Sequence, residues 1–158
     1  MKKKTMDAKI INPFLEAAIN VLKTMAMVDP KPGKAFLKKD HLAHGDVSGI
    51  IGITGDAQGS MSISFSASCI KAIVKNLFGM PIEEINDEVR DAVGEITNMI
   101  CGDARRRLEA ENIHLQAGTP TIVSGANHTI THIHNGPKIA VPFDTDAGKF
   151  VIEVAFNS

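Results

Sequence analysis

The feature that most constrains the fold is an apolar stripe along one helix-forming stretch, residues 86–111. On a helical wheel of about 100° per residue, five apolar residues share one side, namely Val89, Val93, Ile96, Ile100 and Ala104. Acidic residues occupy the first turn and arginines the later part, an arrangement that the helix dipole favours. The stretch predicts a long helix, starting at Asn86 or Asp87, with one side packed on a core.

The opposite side of this helix carries Asp91, Glu95, Asn98 and Gly102, spaced by four, three and four residues. Such a face is usually plain solvated surface. Asn and Gly are poor helix formers, however, and Gly costs about 1 kcal/mol relative to Ala. A bare glycine beside an amide and a carboxylate would let another protein's backbone approach. We therefore interpret this face as a docking surface, and we expect Gly94, at its side, to allow close approach of the first helix.

Two further helices are predicted earlier in the chain. Asn12 and Pro13 form a cap and first-turn signal for a helix over 13–27. Residues 67–78 carry apolar residues at helical spacing and end before Gly79.

The β-rich stretches outside these helices predict strands. They cover residues 35–38, 47–54, 60–66, 120–124, 129–134, 138–144 and 149–156. Turn-forming residues at 55–59 and 144–148 should close two hairpins. Helices combined with antiparallel hairpins predict an α+β fold, an antiparallel sheet with helices packed on it, as a single domain over residues 1–158.

Composition narrows the classes of function. A net charge of -1 gives no broad attraction to nucleic acid or anionic lipid, and the lack of Trp and Tyr argues against a base-stacking platform. No apolar run approaches the roughly 20 residues of a membrane span, and the start lacks the apolar core of a signal peptide. Cys69 and Cys101 lack the close pairing of zinc or redox motifs, so we expect them to be buried and reduced. These features predict a cytoplasmic protein without nucleic-acid or membrane partners.

The helix face also carries a resemblance to a known family. Asp91, Glu95 and Asn98 match the DxxxExxN signature of the CheC, CheX and FliY phosphatases of bacterial chemotaxis, and Pro120 lies at the expected distance downstream. The run GEITNMICGDARRRL resembles CheX most, and the opening NPFLEAAINVLKTM resembles the start of a CheX-like domain. The resemblance covers nearly the whole chain and implies a CheC/CheX-like fold.

One departure from the CheC pattern bears on the number of sites. CheC-type members carry two signature helices, whereas the first helix here has Glu16 followed by Ile19, with Asn20 one place too late. The resemblance therefore implies one active face per chain, as in CheX.

The resemblance implies a phosphatase that hydrolyses the aspartyl phosphate of a phosphorylated CheY-like response regulator, in chemotaxis or a related two-component pathway. Asn98 would orient the attacking water and Glu95 would contact the receiver's lysine. Asp91 could add a polar contact or simply improve the charge at the helix start, while Pro120 would shape a loop or strand start. Mg²⁺ is expected on the partner receiver, with no cofactor on this chain, and a homodimer joined by sheet edges is also implied.

A non-catalytic adaptor is the main alternative, in which the same face would bind a receiver or join the flagellar switch without hydrolysis. The presence of both Glu95 and Asn98 favours the enzyme. Nucleophilic hydrolysis through Cys69 or Cys101 is disfavoured because both lie in apolar helices without the surroundings that lower a thiol pKa.

A metal site is a further alternative, based on the histidines. His128, His132 and His134 lie close in sequence, and strand alternation would place the last two on one face. No acidic or cysteine partner is adjacent, so we interpret them as polar surface, and we interpret His41 and His44 in the same way.

Overall fold

In the part of the chain that the structure describes, three helices pack against one antiparallel sheet, which confirms the predicted fold class. The computed structural model describes residues 2–38, 45–125, 128 and 138–156, with residues 2–8 described by their backbone alone. The helices are α1 (Lys2–Ala26), α2 (Ala67–Phe78) and α3 (Asp87–Glu109). The strands are β1 (Lys31–Pro32), β2 (Phe36–Lys38), β3 (Val47–Gly55), β4 (Gly59–Phe65), β5 (Leu115–Ala117), β6 (Thr121–Ser124), β7 (Lys138–Thr145) and β8 (Gly148–Phe156).

The sheet is built around the two predicted hairpins, β3–β4 and β7–β8, which are both present. Strands β4 and β8 join the hairpins in antiparallel register from Gly59 opposite Phe156 to Phe65 opposite Phe150. The strand order is β1-β7-β8-β4-β3-β5, with β2 also paired to β7 and β6 also paired to β3. The strands along the two edges of the described sheet are thus short ones. Pairing of such an edge with a second copy stays a prediction.

The hydrophobic core lies between the helices and one face of the sheet. Met61, Ile63 and Phe65 alternate along β4 and are fully buried, as the sequence pattern predicts. Phe143 and Phe150 stack with ring centroids 4.7 Å apart. The predicted apolar stripe of α3 is also buried. Burial of these side chains fixes which side of α3 faces outward.

The other face of the sheet is polar along β4 and is buried there as well. Ser60, Ser62 and Ser64 of β4 lie there and are nearly or fully inaccessible. On the same face, Lys38 Nζ donates to Glu153 Oε2 at 3.0 Å. Removing one member of such a buried pair would leave an uncompensated charge, at a cost of about 3–5 kcal/mol.

Helix α3 is capped at its start and packs closely on the sheet at its middle. Asn86 Oδ1 caps the helix by accepting from the backbone N–H of Val89 at 3.0 Å. Farther along, Thr97 Oγ1 donates to the carbonyl oxygen of Val93 at 2.7 Å and occupies the space where a side chain on Gly49 would lie. Gly49 of β3 therefore allows α3 to approach the sheet closely.

The predicted start of the first helix is wrong. The sequence signal at Asn12 and Pro13 placed the helix over 13–27, whereas α1 begins at Lys2 and contains Pro13. Proline within a helix costs about 3 kcal/mol because it removes a hydrogen bond and its ring crowds the preceding turn. Ile10 and Ile11 are buried in the core together with Phe14, and their burial offsets that cost.

Among the described residues, no helix is both long and apolar enough to cross a membrane.

The strand predictions are largely confirmed, with two omissions. Strands β1 and β5 were not predicted; β1 has only two residues and β5 three, too few for a periodic signal. The predicted strand over 129–134 lies outside the described residues.

The prediction for Gly94 is wrong, because its open side faces Ile122 of β6 at 3.6 Å and not the first helix.

The close contact between α3 and β3 gives a stability prediction. Gly49→Ala should lower the free energy of unfolding by about 1–3 kcal/mol, because the added methyl group would overlap Thr97 Oγ1. Gly52→Ala is the matched control, since a Cβ at Gly52 in the same strand meets nothing within 4 Å. Urea unfolding of both variants measures the difference, and equal stability would contradict the proposed close approach.

Candidate functional site

The outward side of α3 carries the residues that the sequence singles out. Asp91, Glu95 and Asn98 are exposed and Gly102 is partly exposed, while most of the residues between them are buried. The side chains of Glu95 and Asn98 make no hydrogen bond or ion pair with any residue that the structure describes. The helix thus presents a carboxylate and a carboxamide, three residues apart, to the solvent.

The first of two clefts beside this face lies toward the start of α3. It is lined by Phe78, Glu88, Asp91, Ala92 and Glu95 and has a volume of about 450 Å³. Phe78 is the last residue of α2, so this cleft lies between the end of α2 and the first half of α3. Glu95 therefore lies beside an exposed aromatic ring.

The second cleft lies between α1 and the middle of α3. It has a volume of about 390 Å³ and is lined by Asn20, Val21, Thr24, Met25, Asn98, Met99, Gly102, Asp103 and Arg106. A Cβ placed on Gly102 would meet nothing within 4 Å. The glycine therefore leaves open space beside Asn98, as the sequence suggests.

A polar network holds α1 and α3 together next to this second cleft. Asn20 Nδ2 donates to Asp103 Oδ2 at 3.1 Å. The buried Asp103 carboxylate also pairs with Arg106 at 3.0 Å and with Arg107 at 3.4 Å. Asn20, which stands one place late for a second signature, is thus engaged in a helix-helix contact, which supports a single active face.

Pro120 lies between β5 and β6, directly before the first residue of β6, where it can shape the strand start. This position fits the indirect role expected from the sequence.

The described histidine of the proposed cluster is hydrogen-bonded through both ring nitrogens. His128 Nε2 lies 2.7 Å from Ser48 Oγ, and Nδ1 lies 2.7 Å from the carbonyl oxygen of Gly125. His132, His134, His41 and His44 lie outside the described residues. Within the described ranges, no group of three or more His, Cys, Asp or Glu side chains is placed to hold a metal ion.

Both cysteines are buried and unpaired. Burial raises the pKa of the Cys69 thiol to about 11, partly offset by a hydrogen bond with Thr145. Burial likewise raises the pKa of Cys101 to about 11, partly offset by the charge of Arg105. Neither thiol has the lowered pKa that a nucleophile needs.

The exposed apolar side chains beside the site were not predicted. Phe78 and Met25 belong to amphipathic helices, where an apolar residue is normally assigned to the core. Only the packing of α1, α2 and α3 shows that these two residues lie at the clefts. No periodic signal in the sequence distinguishes them from core residues.

Comparison with known proteins decides the family. The family model described as chemotaxis phosphatase CheX matches residues 47–144, more than half of the chain. The CheX family includes this chain. It is therefore a phosphatase, that is, a hydrolase, and the resemblance seen in the sequence is confirmed.

Individual CheX and CheC-like proteins agree with this assignment. The CheY-P phosphatase CheX of Thermotoga maritima is 31% identical over 122 residues, which cover 76% of this chain and 78% of the relative. A CheC-like superfamily protein from Shewanella sp. PV-4 is 47% identical, with a TM-score of 0.89 and coverage of 95% and 98%. The CheX-CheY-BeF3-Mg²⁺ complex from Borrelia burgdorferi matches with 27% identity, a TM-score of 0.79 and coverage of 94% and 98%.

The low reactivity expected of the two buried thiols can be tested by chemical labelling. At pH 8 a thiol with a pKa of about 11 is roughly one part in a thousand thiolate, so Cys69 and Cys101 should resist a disulfide reagent in the folded protein. In denaturing urea both should react rapidly. Rapid labelling of either thiol in the folded CheX protein would contradict its burial.

Proposed function

We propose that this CheX family member hydrolyses the aspartyl phosphate of a phosphorylated CheY-like response regulator, and that the outward face of α3 is its active face. The observation that carries the proposal is the exposure of Glu95 and Asn98 on one side of a firmly seated helix, without internal partners. The similarity to the CheY-P phosphatase CheX of Thermotoga maritima supports the same substrate, as does the similarity to the Borrelia burgdorferi complex with CheY.

The reaction requires little covalent chemistry from the phosphatase. Water attacks phosphorus, the bond from phosphorus to the aspartyl oxygen breaks, and the aspartate leaves as a carboxylate. Such a transfer is governed mainly by positioning and charge stabilisation. The Asn98 carboxamide fits this task, since its oxygen can accept from the water while its NH₂ donates to a phosphoryl oxygen.

Glu95 has a separate role in this proposal, which is to hold the receiver in register. Residues three apart on a helix have Cβ atoms about 5–6 Å apart, so Glu95 and Asn98 can enter one site together. The Glu95 carboxylate would pair with a lysine of the receiver. Asp91 would add a polar contact at the margin, and Mg²⁺ would stay on the receiver, consistent with its presence in the Borrelia burgdorferi complex.

The two roles predict two different kinetic defects. Asn98→Ala should lower kcat by about a hundredfold or more, because the water loses its orienting group. Glu95→Ala should mainly raise KM, by about tenfold, because the receiver's lysine loses its partner. Release of phosphate from a phosphorylated CheY-like receiver measures both constants.

Matched controls for these variants are Asn12→Ala and Glu16→Ala. Both residues are exposed on α1 and line a different cleft, formed with Arg107 near the end of α3. Both controls should behave as wild type. Unchanged turnover in Asn98→Ala would refute the proposed mechanism.

A substitution at Gly102 should change docking and stability in opposite directions. Gly102→Ala should raise the free energy of unfolding by up to about 1 kcal/mol, because Ala favours the helix and its methyl group meets nothing internal. The same methyl group should raise KM by obstructing the receiver. Gly94→Ala in the same helix is the control, since its Cβ would meet only Ile122 at an ordinary contact distance of 3.6 Å. A Gly102→Ala protein with wild-type KM would remove Gly102 from the docking surface.

A further inference from the structure

Phe78 is unusual among the aromatic residues of this protein. The chain has seven Phe and neither Trp nor Tyr. Five of the seven are buried, namely Phe14, Phe65, Phe143, Phe150 and Phe156. Phe78 is 57% exposed, the largest exposed fraction of any Phe in the protein. An exposed ring of this size adds little to folding, whereas large aromatic side chains dominate the binding energy of many interfaces.

The position of Phe78 is fixed by the fold. It ends α2, and Gly79 caps the helix in a left-handed conformation with φ 73° and donates to the carbonyl oxygen of Lys75 at 2.7 Å. Asn76 Nδ2 donates to the carbonyl oxygen of Ala26, also at 2.7 Å, which ties the end of α2 to the end of α1. A firmly held helix end loses little backbone freedom on binding.

Three carboxylates share a cleft with the Phe78 ring. Glu88, Asp91 and Glu95 line the same cleft as Phe78, and none of the three forms an ion pair with any other described residue. A partner that fills the cleft must therefore offer an apolar group flanked by lysine or arginine. Because Glu95 belongs both to this cleft and to the proposed active face, the molecule that reaches Asn98 also lies over Phe78.

We propose that Phe78 is an apolar anchor for the phosphorylated receiver domain and sets the affinity of the complex without taking part in the chemistry. This inference rests on the proposed function of α3, whose outward face continues into the Phe78 cleft. The occupant is a surface of the receiver next to its phosphorylation site, apolar at its centre and basic around it. Phe78 would thereby help the enzyme choose among receivers.

The test compares Phe78→Ala with Leu37→Ala. Leu37 is 62% exposed on β2, and it does not line either cleft beside the active face. Phe78→Ala should raise KM for the phosphorylated receiver by about tenfold or more, while kcat stays within about twofold of wild type. Phe78→Leu should recover part of the loss, because it restores an apolar side chain. Leu37→Ala should leave both constants unchanged, and urea unfolding should show all three variants folded.

Two outcomes would overturn the anchor. The first is a Phe78→Ala protein with the KM of wild type. The second is a change in oligomeric mass by light scattering in Phe78→Ala, which would assign the ring to an interface between copies of this chain.

A binding measurement tests the role of Phe78 independently of the proposed hydrolysis. Affinity for a beryllofluoride-activated receiver can be measured by calorimetry even if the wild-type protein hydrolyses nothing. In that case the proposed function fails, while weaker binding by Phe78→Ala would still support the anchor. Equal binding by the variant, or no binding by wild type, would overturn it.

Discussion

The orientation of the proposed active face depends on the contact between Thr97 and Gly49. Thr97 is fully buried, and its side chain fills the space that a larger residue on β3 would occupy. Its neighbours Ile96 and Ile100 are buried with it, so the rotation of α3 about its axis is fixed. Asn98, one residue on from Thr97, must then point away from the sheet. The docking face is thus a consequence of how the opposite side packs.

A rigid helix suits the chemistry proposed for this protein. Aspartyl phosphate hydrolysis needs a positioned water and a correctly placed partner, and small displacements are costly. In the proposed mechanism, the exposed face provides one group for each need, Asn98 for the water and Glu95 for the receiver. Around it, Phe78 and the open space beside Gly102 would match the shape and apolar character of the partner. If these roles are correct, substitutions can alter recognition and turnover independently.

The sequence predicts the parts of the molecule that follow a regular period. The two faces of α3, the helix at 67–78 and both hairpins could be predicted because burial repeats along each element. A local sequence signal gives a wrong helix boundary where core packing overrides it. Pro13 suggests a helix start, but α1 begins earlier because Ile10 and Ile11 are buried in the core. The neighbour of Gly94 and the cleft at Phe78 depend on which elements meet in space. No local pattern encodes that information.

The most direct test of receiver dephosphorylation is the lifetime of a labelled phosphoryl group on CheY-like receiver domains of the same organism. Each receiver is phosphorylated, and loss of label is followed with and without the purified protein. If the protein is a receiver phosphatase, at least one receiver should lose its label faster, in proportion to the amount of protein added. A receiver that binds the outward face of α3 yet keeps its normal phosphoryl lifetime would contradict hydrolysis and identify the protein as an adaptor.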